Sequence, residues 1–224
     1  MFERMRGIWT KAIEPLVLKM GNLDPSILTW ASLILALGAF WLISEAALDN
    51  NGAIMIGASV LLILLAGVLD ALDGALARHQ GVAGPYGDFL DHTIDRVVDV
   101  GLLIAIGMNA TFVSDPSSGA VAAVLTLFGS YMGTQAQSVG LDRIYGGFGR
   151  ADRMVLTVAC LVVASWQAYS GGVGIDLSDA GYASWVMLGN SNLNGMTATL
   201  AISAWGGVYT FLSRFISTRN QLLR

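Results

Sequence analysis

Residues 53–78 read AIMIGASVLLILLAGVLDALDGALAR, in which an apolar run leads directly into two aspartates and an arginine. A helix needs about 20 mostly apolar residues to cross the hydrocarbon core of a bilayer. The run 53–69 is close to that length, and no helix-breaking residue separates it from Asp70 and Asp73. This stretch therefore predicts a membrane helix that continues beyond the apolar core and carries acidic side chains at one end.

The rest of the chain has the composition of a membrane protein. Of its 224 residues, 54% are hydrophobic and 12% are charged, whereas soluble domains have about 25% charged residues. The mean hydropathy is +0.63. Five further apolar runs are found at 27–44, 97–113, 119–132, 154–166 and 198–216. We expect an all-α membrane protein in which residues 23–224 form one domain of six transmembrane helices.

The segment 1–22 precedes the first apolar run and has a different pattern. Apolar residues recur in it at helical spacing: Phe2, Met5, Ile8, Trp9, Ile13, Leu16 and Val17. This pattern predicts an amphipathic helix that lies in the membrane interface on the cytoplasmic side. A turn at 21–26 with Pro25 then marks the start of the first span.

Basic residues indicate the orientation in the membrane. All twelve lysines and arginines fall in the N-terminal segment, in alternate connections or near the C-terminus. The other connections, at 45–52, 114–118 and 167–196, contain none. Because cytoplasmic loops carry the positive excess, the pattern predicts a multi-pass protein of the cell membrane with both termini in the cytoplasm. The long segment 167–196 is expected to be an outer connecting loop.

Two pairs of carboxylates mark the candidate site. Asp70 and Asp73 share one face of the helix that begins at 53, and Asp91 and Asp95, four residues apart, share a face of the next helix. Four carboxylates beside apolar sequence need compensation by cations, and oxygen ligands suit Mg²⁺, Mn²⁺ or Ca²⁺. We expect a pair of divalent metal ions, Mg²⁺ or Mn²⁺, at the cytoplasmic face.

The pattern Asp70-x2-Asp73-Gly74-x2-Ala77-Arg78-x8-Gly87-x3-Asp91-x3-Asp95 resembles the signature of the CDP-alcohol phosphotransferase family. The resemblance implies transfer of a phosphatidyl or archaetidyl group from a CDP-activated lipid, with diacylglycerol or archaeol left open, to a small alcohol. It also implies a homodimer among membrane lipids and no nucleic-acid partner. In this family pattern Asp70, Asp73 and Asp91 are metal ligands, and Asp95 lies near the second metal as the general base. The residues implied at the cytidine nucleotide are Asp70, Gly74, Arg78 and Gly87.

Four other polar residues lie in or beside this pattern. Asp88 begins a helix and is expected to act as a cap. Asp99 continues the stripe of Asp91 and Asp95 one turn deeper, so we expect it to have a partner such as a nearby arginine or a polar residue of the same bundle. His79 and His92 occupy variable positions of the pattern, which favours surface or supporting roles.

The acceptor alcohol is suggested by a second cytoplasmic segment. Arg143, Arg150 and Arg153 lie within eleven residues and are candidate ligands for an acceptor phosphate. The segment 149–153 is similar to the Gly-Arg-x-Glu-Arg motif of family members that accept inositol phosphate, which favours inositol 1-phosphate. Gln135 and Gln137 depart from that group, so glycerol phosphate remains the alternative.

Two other classes share some of these features. Acidic residues in membrane helices also occur in ion-coupled transporters, but there they are expected near the midplane rather than at one face. A membrane metallophosphatase would share the metal ligands without needing two glycines beside a nucleotide. For dimer formation the sequence offers only small residues that are suited to close helix packing, whether between chains or within one: Gly101, Gly107, Gly119 and Gly129.

Overall fold

The structure is a computed structural model and describes residues 15–142, 144 and 146–223. Six long helices dominate this part of the chain: α1 (Pro25–Glu45), α2 (Asn50–Gln80), α3 (Pro85–Gly107), α4 (Ser117–Ser138), α5 (Arg150–Ser170) and α7 (Gly195–Leu222). The shorter elements are β1 (Ile175–Asp176), α6 (Ala183–Val186) and β2 (Asn192–Leu193). The predicted helical character is confirmed, and each of the six apolar runs lies mainly in a helix of its own.

Three helices in the described residues are both long enough and apolar enough to cross a bilayer: α1, α2 and α5. The helices α3, α4 and α7 contain 23, 22 and 28 residues, so their lengths also suffice. Their composition is less apolar, because α3 carries the acidic stripe and α4 and α7 are rich in Gly, Ser and Thr. Six spans and their orientation therefore stay a prediction.

An apolar stripe on α1 shows the membrane character directly. Trp30, Ile34, Leu37 and Trp41 recur along one side of the helix, and each is between 50% and 68% exposed. Such a row of large apolar side chains is costly in water and favourable against lipid.

The described chain divides into two compact units, and α1, α2 and α3 each contribute residues to both. Unit 1 contains the described residues up to Gly38 together with Leu61–Val98, and unit 2 contains Ala39–Val60 and the residues from Asp99 onward. In unit 1, the helical segment 15–20 packs Val17 into a small core with three leucines: Leu28, Leu72 and Leu76. Residues 1–14 of the expected interfacial helix lie outside the described residues.

The turn between α2 and α3 makes these helices a hairpin in unit 1. Gly81 has a φ of +70°, which a residue without Cβ adopts readily. Its N–H donates to Arg78 O, and the Val82 N–H donates to Ala77 O, which is the Schellman pattern at a helix end. The Gln80 side chain then donates to two carbonyls of the turn before α1, those of Gly21 and Leu23, at 2.9 Å each.

The end of α3, in unit 2, differs from the sequence expectation. The apolar run was expected to remain helical to 113, but α3 ends at Gly107. The fully buried Asn109 amide donates to Ile43 O and Ala46 O, and its oxygen accepts from the N–H groups of Thr111 and Phe112. This side chain satisfies backbone groups that would otherwise be unpaired at the ends of α1 and α3, so the chain can turn in an apolar setting.

Small residues allow the helices of unit 2 to approach closely. A Cβ on Gly119 would lie 2.7 Å from Leu103 O, and a Cβ on Gly207 would lie 2.6 Å from Leu125 C and O. Gly195 meets the backbone of α5 in the same way. The helices α3, α4, α5 and α7 are therefore packed backbone against backbone, as is typical of membrane bundles.

The segment after α5 is more ordered than a plain connecting loop. β1 and β2 pair antiparallel, with Ile175 opposite Leu193. Asn194 caps α7 by accepting from the N–H groups of Met196 and Thr197, while its amide nitrogen donates to Phe112 O. The predicted connection thus contains a short hairpin and the single-turn helix α6.

Candidate active site

The first pair of carboxylates lies near the end of α2. As predicted, the helix is continuous through the apolar run and both aspartates, and it ends at Gln80. Asp73 is only 6% exposed, whereas Asp70 is partly buried. Their spacing places both side chains on one face of α2.

The second pair lies on α3 in the same unit. Asp91 and Asp95 are one helical turn apart; Asp95 is 6% exposed and Asp91 is partly buried. Asp73 is close enough to Asp70 and Asp91 for their charges to interact. The four aspartates predicted as a group therefore gather in unit 1 from two adjacent helices.

A buried hydroxyl from α1 contacts this group. Thr29 Oγ1 donates a hydrogen bond of 2.5 Å to Asp73 Oδ2, and the two residues are 4% and 6% exposed. A short hydrogen bond to a charged acceptor fixes one carboxylate oxygen in place. This contact was not predicted from the sequence.

The donor set fits divalent metal ions. Asp91, His92 and Asp95 each offer a ligand atom, and these atoms lie within 4.8 Å of one another. Like charges held this close repel one another unless a cation lies between them. Carboxylate oxygens are the preferred ligands of Mg²⁺ and Mn²⁺, whereas an imidazole nitrogen favours softer metals. His92 is half-exposed, and its Nδ1 lies 3.6 Å from Asp91 Oδ2, so it belongs to the surroundings of the site.

The residues expected at the nucleotide lie beside the carboxylates in sequence and differ in their surroundings. A Cβ on Gly74 would lie 3.3 Å from Arg78 Nη1, so the exposed guanidinium group lies across that glycine. Gly87, in the first turn of α3, has open space where a Cβ would be. The expectation that Asp88 begins and caps this helix is wrong, because α3 begins at Pro85 and Asp88 lies inside its first turn. A carboxylate there still interacts favourably with the helix dipole.

Asp99 has the arginine partner that the sequence predicts, in unit 2. Its Oδ2 accepts a hydrogen bond of 2.5 Å from Arg153 Nη2, and its Oδ1 lies 3.7 Å from Arg150 Nε. Asp99 and Arg153 are 7% and 8% exposed. Two of the three predicted acceptor arginines are thus brought together by one buried carboxylate, while Arg143 lies outside the described residues.

The loop before α5 is anchored by α7. Thr210 Oγ1 accepts from the Phe148 N–H at 2.8 Å, and Arg214 donates from Nε to Gly146 O and from Nη1 to Gly129 O. The Arg153 guanidinium group also reaches Phe148 O at 3.4 Å. These bonds hold the N-terminus of α5, and with it the arginine pair, in a defined place. Sequence reasoning gave Arg214 no role beyond positive charge on the cytoplasmic side.

Comparison with known proteins identifies the family. The family model described as CDP-alcohol phosphatidyltransferase matches residues 22–193, which include all four aspartates of the site. The chain belongs to this family. CDP-alcohol phosphatidyltransferases are membrane enzymes of phospholipid synthesis, so the predicted reaction class is confirmed.

Two members of the CDP-alcohol phosphatidyltransferase family with named functions are similar to most of this chain. The archaetidylinositol phosphate synthase of Aeropyrum pernix is 32% identical over 175 residues, which cover 74% of this chain and 82% of that protein. The phosphatidylinositol phosphate synthase of Mycobacterium tuberculosis, solved in complex with manganese and citrate, superposes with a TM-score of 0.69 at 21% identity. That match covers 94% of this chain and 88% of the other. Another structure of the mycobacterial protein, with CDP-DAG bound, has a TM-score of 0.66 at 21% identity and covers 93% and 92% of the two chains. At this identity the likeness shows a common fold.

Proposed function

We propose that the protein transfers a phosphatidyl or archaetidyl group from a CDP-lipid to inositol 1-phosphate and releases CMP. The observation that carries the choice of a phosphorylated acceptor is the pair Arg150 and Arg153, both of which contact Asp99. Two guanidinium groups beside one carboxylate keep a net positive charge, which suits a phosphorylated alcohol better than a neutral one. The relative from Aeropyrum pernix, named archaetidylinositol phosphate synthase, supports the same acceptor class.

The four aspartates of unit 1 are proposed to hold the metal and to move the proton. Asp70, Asp73, Asp91 and Asp95 are the proposed ligands. Two divalent cations, Mg²⁺ or Mn²⁺, would offset the negative charge of the diphosphate and of the departing CMP. The mycobacterial relative solved with manganese supports a metal of this kind.

Asp95 is proposed to act as the general base. Its carboxylate takes the proton from the acceptor hydroxyl, and the hydroxyl oxygen forms a bond to the phosphorus on the lipid side. The bond from that phosphorus to the bridging oxygen breaks, and CMP leaves with the electron pair. Asp95 is 6% exposed, which keeps bulk water away from the base.

The nucleotide is proposed to bind beside the same helices. Gly87 leaves open space on α3, and the Arg78 guanidinium group beside Gly74 can turn toward phosphate oxygens. Asp70 would contact the nucleotide as well as the metal. The mycobacterial structure with CDP-DAG supports a CDP-lipid donor, whether diacylglycerol or archaeol carries the chains in this protein.

Glycerol phosphate is the second candidate acceptor, since it would use the same arginine pair. Gln135 and Gln137, exposed on α4, favour this alternative because they depart from the residues expected in enzymes that accept inositol phosphate. The family match supports an enzyme over an ion-coupled transporter or a metallophosphatase.

The proposed topology has six spans in residues 23–224, with segment 1–22 at the interface. Both termini and the active site would lie on the cytoplasmic side of the cell membrane. A Cys160→Ser background removes the chain's one cysteine and allows Ser138→Cys and Ser178→Cys to be labelled by an impermeant thiol reagent. We expect labelling of intact cells only at 178; labelling only at 138 would reverse the topology.

A homodimer is proposed on the family resemblance alone. Gly101, Gly107, Gly119 and Gly129 pack within the chain, because a Cβ on each would lie 3.0 Å or less from an atom of another described residue. These glycines already pack against other residues of their own chain, so a partner chain would have to bind at other surfaces. Light scattering of the purified protein in detergent measures the mass and decides between monomer and dimer.

The test of the function is CMP release by the purified protein with Mg²⁺ or Mn²⁺ and a CDP-lipid. Inositol 1-phosphate, glycerol phosphate and serine are offered in parallel, with lipids carrying either diacylglycerol or archaeol. Asp95→Asn removes the base, and Asp88→Asn is the matched control, because it makes the same change at an exposed position of α3.

Release stimulated by inositol 1-phosphate, lost in Asp95→Asn and kept in Asp88→Asn, is the expected result. Stimulation by glycerol phosphate would keep the mechanism and correct the acceptor. Stimulation by serine alone would contradict the role of the arginine pair. Equal loss in the two variants would contradict the role of Asp95.

A further inference from the structure

The carboxylate of Asp99 lies one helical turn beyond the last aspartate of the family pattern and contacts two arginines, Arg150 and Arg153. We propose that Asp99 is a positioning residue for the acceptor phosphate: it fixes the guanidinium groups of Arg150 and Arg153 as one preorganised anion-binding pair. This inference rests on the proposed function. It assigns a role to a residue that lies outside the family's aspartate pattern.

Asp99 contacts both arginines at short range. Arg153 Nη2 donates to Asp99 Oδ2 at 2.5 Å, and Arg150 Nε lies 3.7 Å from the other carboxylate oxygen. The two arginines are three residues apart on α5, so their side chains leave the same face of the helix. One carboxylate is therefore hydrogen-bonded to Arg153 and forms a longer ion pair with Arg150.

The negative charge of Asp99 also reduces the repulsion between the two arginines. Two guanidinium groups with no counter-charge would repel each other and would be costly to bury. The side chains of Asp99, Arg150 and Arg153 together sum to two positive charges and one negative charge. The repulsion is removed while the attraction for a phosphate is kept.

Several hydrogen bonds hold the N-terminus of α5 in place. Arg153 also donates to Phe148 O, and Phe148 is itself bonded through its N–H to Thr210. Asp152 Oδ2 accepts from the Gly149 N–H at 3.0 Å and closes the first turn of α5. The two arginines therefore lie at the start of a helix whose N-terminus is held by three hydrogen bonds. A phosphate that binds there would contact donors that are already ordered, so little further conformational entropy is lost on binding.

A purely structural ion pair between α3 and α5 is the competing explanation, and kinetics separate the two. We expect Asp99→Asn to raise the KM for inositol 1-phosphate about tenfold or more, because misplaced donors weaken binding of the acceptor. The KM for the CDP-lipid and metal-dependent CMP binding should stay within about twofold. Asp88→Asn, the same change at an exposed position of α3, should alter none of these values.

Two further variants keep the test decisive. Asp99→Glu keeps the buried charge and moves it by one methylene, so it should fold and still raise the acceptor KM several-fold. The exchange Asp99→Arg with Arg153→Asp restores an ion pair but moves the positive charge onto α3. It should recover thermal stability without recovering the acceptor KM.

Four outcomes would overturn the inference. An acceptor KM unchanged in both Asp99→Asn and Asp99→Glu would remove any positioning role. If the KM for the acceptor, the KM for the CDP-lipid and the affinity for CMP all changed equally, in proportion to the loss of thermal stability, the ion pair would be purely structural. Recovery of the acceptor KM in the exchanged variant would indicate the same. A wild-type enzyme that uses no phosphorylated acceptor contradicts the proposed function itself, and this inference with it.

Discussion

Thr29 Oγ1 on α1 donates a 2.5 Å hydrogen bond to Asp73 Oδ2 on α2, across 44 residues of sequence. Both side chains are buried, so neither can exchange this bond for one to water without local opening. A proposed metal ligand is therefore oriented by a residue that would not itself touch the metal.

Thr29→Val removes the hydroxyl while keeping the shape of the side chain. We expect metal affinity or activity to fall about 10–100-fold, as is found when a residue that orients a metal ligand is lost. Mn²⁺ binding followed by electron paramagnetic resonance measures this without turnover. Thr29→Ser keeps the donor and serves as the control; Mn²⁺ affinity unchanged in Thr29→Val would show that Asp73 needs no such orientation.

Asp91→Asn tests the proposed metal site directly. Replacing a charged oxygen ligand by an amide weakens the hold on a hard cation, so metal-dependent CMP binding should be largely lost. Isothermal titration with CMP, with and without Mg²⁺, measures the effect. Asp88 lies three residues earlier and is exposed, so the Asp88→Asn variant should bind CMP as the wild type does. If metal-dependent CMP binding persisted in Asp91→Asn, other residues would have to be the metal ligands.

Asn109→Ala should lower the thermal stability of the protein. The substitution leaves buried carbonyls and N–H groups at the ends of two helices without partners, and each such group costs about 1–3 kcal/mol. We expect a loss on the order of 3 kcal/mol, seen as a lower midpoint in thermal unfolding. Asn51→Ala is the control, because the exposed Asn51 amide has only a 3.7 Å contact with Met55 Sδ. Equal midpoints for the two variants would contradict the role of Asn109.

Gly207→Ala and Gly67→Ala should have opposite effects. A Cβ at 207 would lie 2.6 Å from the Leu125 backbone, whereas nothing lies within 4 Å of a Cβ at 67. Gly67→Ala should stabilise α2 by about 0.5–1 kcal/mol through helix propensity. Gly207→Ala should force α4 and α7 apart and lower the unfolding midpoint. A stable Gly207→Ala protein would mean that these helices separate easily.

Periodicity and spacing predicted the features that depend on a single helix. The acidic faces of α2 and α3 follow from helical geometry, and Asp99 needed a partner because a lone buried carboxylate is expensive. The cytoplasmic arginines supplied that partner, but the sequence could not say which of Arg143, Arg150 and Arg153 would do so.

The features that were missed depend on contacts between distant segments. Thr29 reads as one hydroxyl in an apolar run, and nothing local distinguishes it from Thr126, which bonds instead to Ser203 O. The end of α3 was misplaced because the apolar run continues past Gly107, and only the buried amide of Asn109 allows the helix to stop there.

The close backbone packing of α3, α4 and α7 has a consequence for mutational data. A saturation scan scored by growth would find Gly119 and Gly207 as intolerant of change as Asp95, since a methyl group at either glycine meets another helix. Without a structure, such data would assign to the active site positions whose only role is to allow helices to approach closely. Separate scores for protein abundance and for catalysis would divide the two classes.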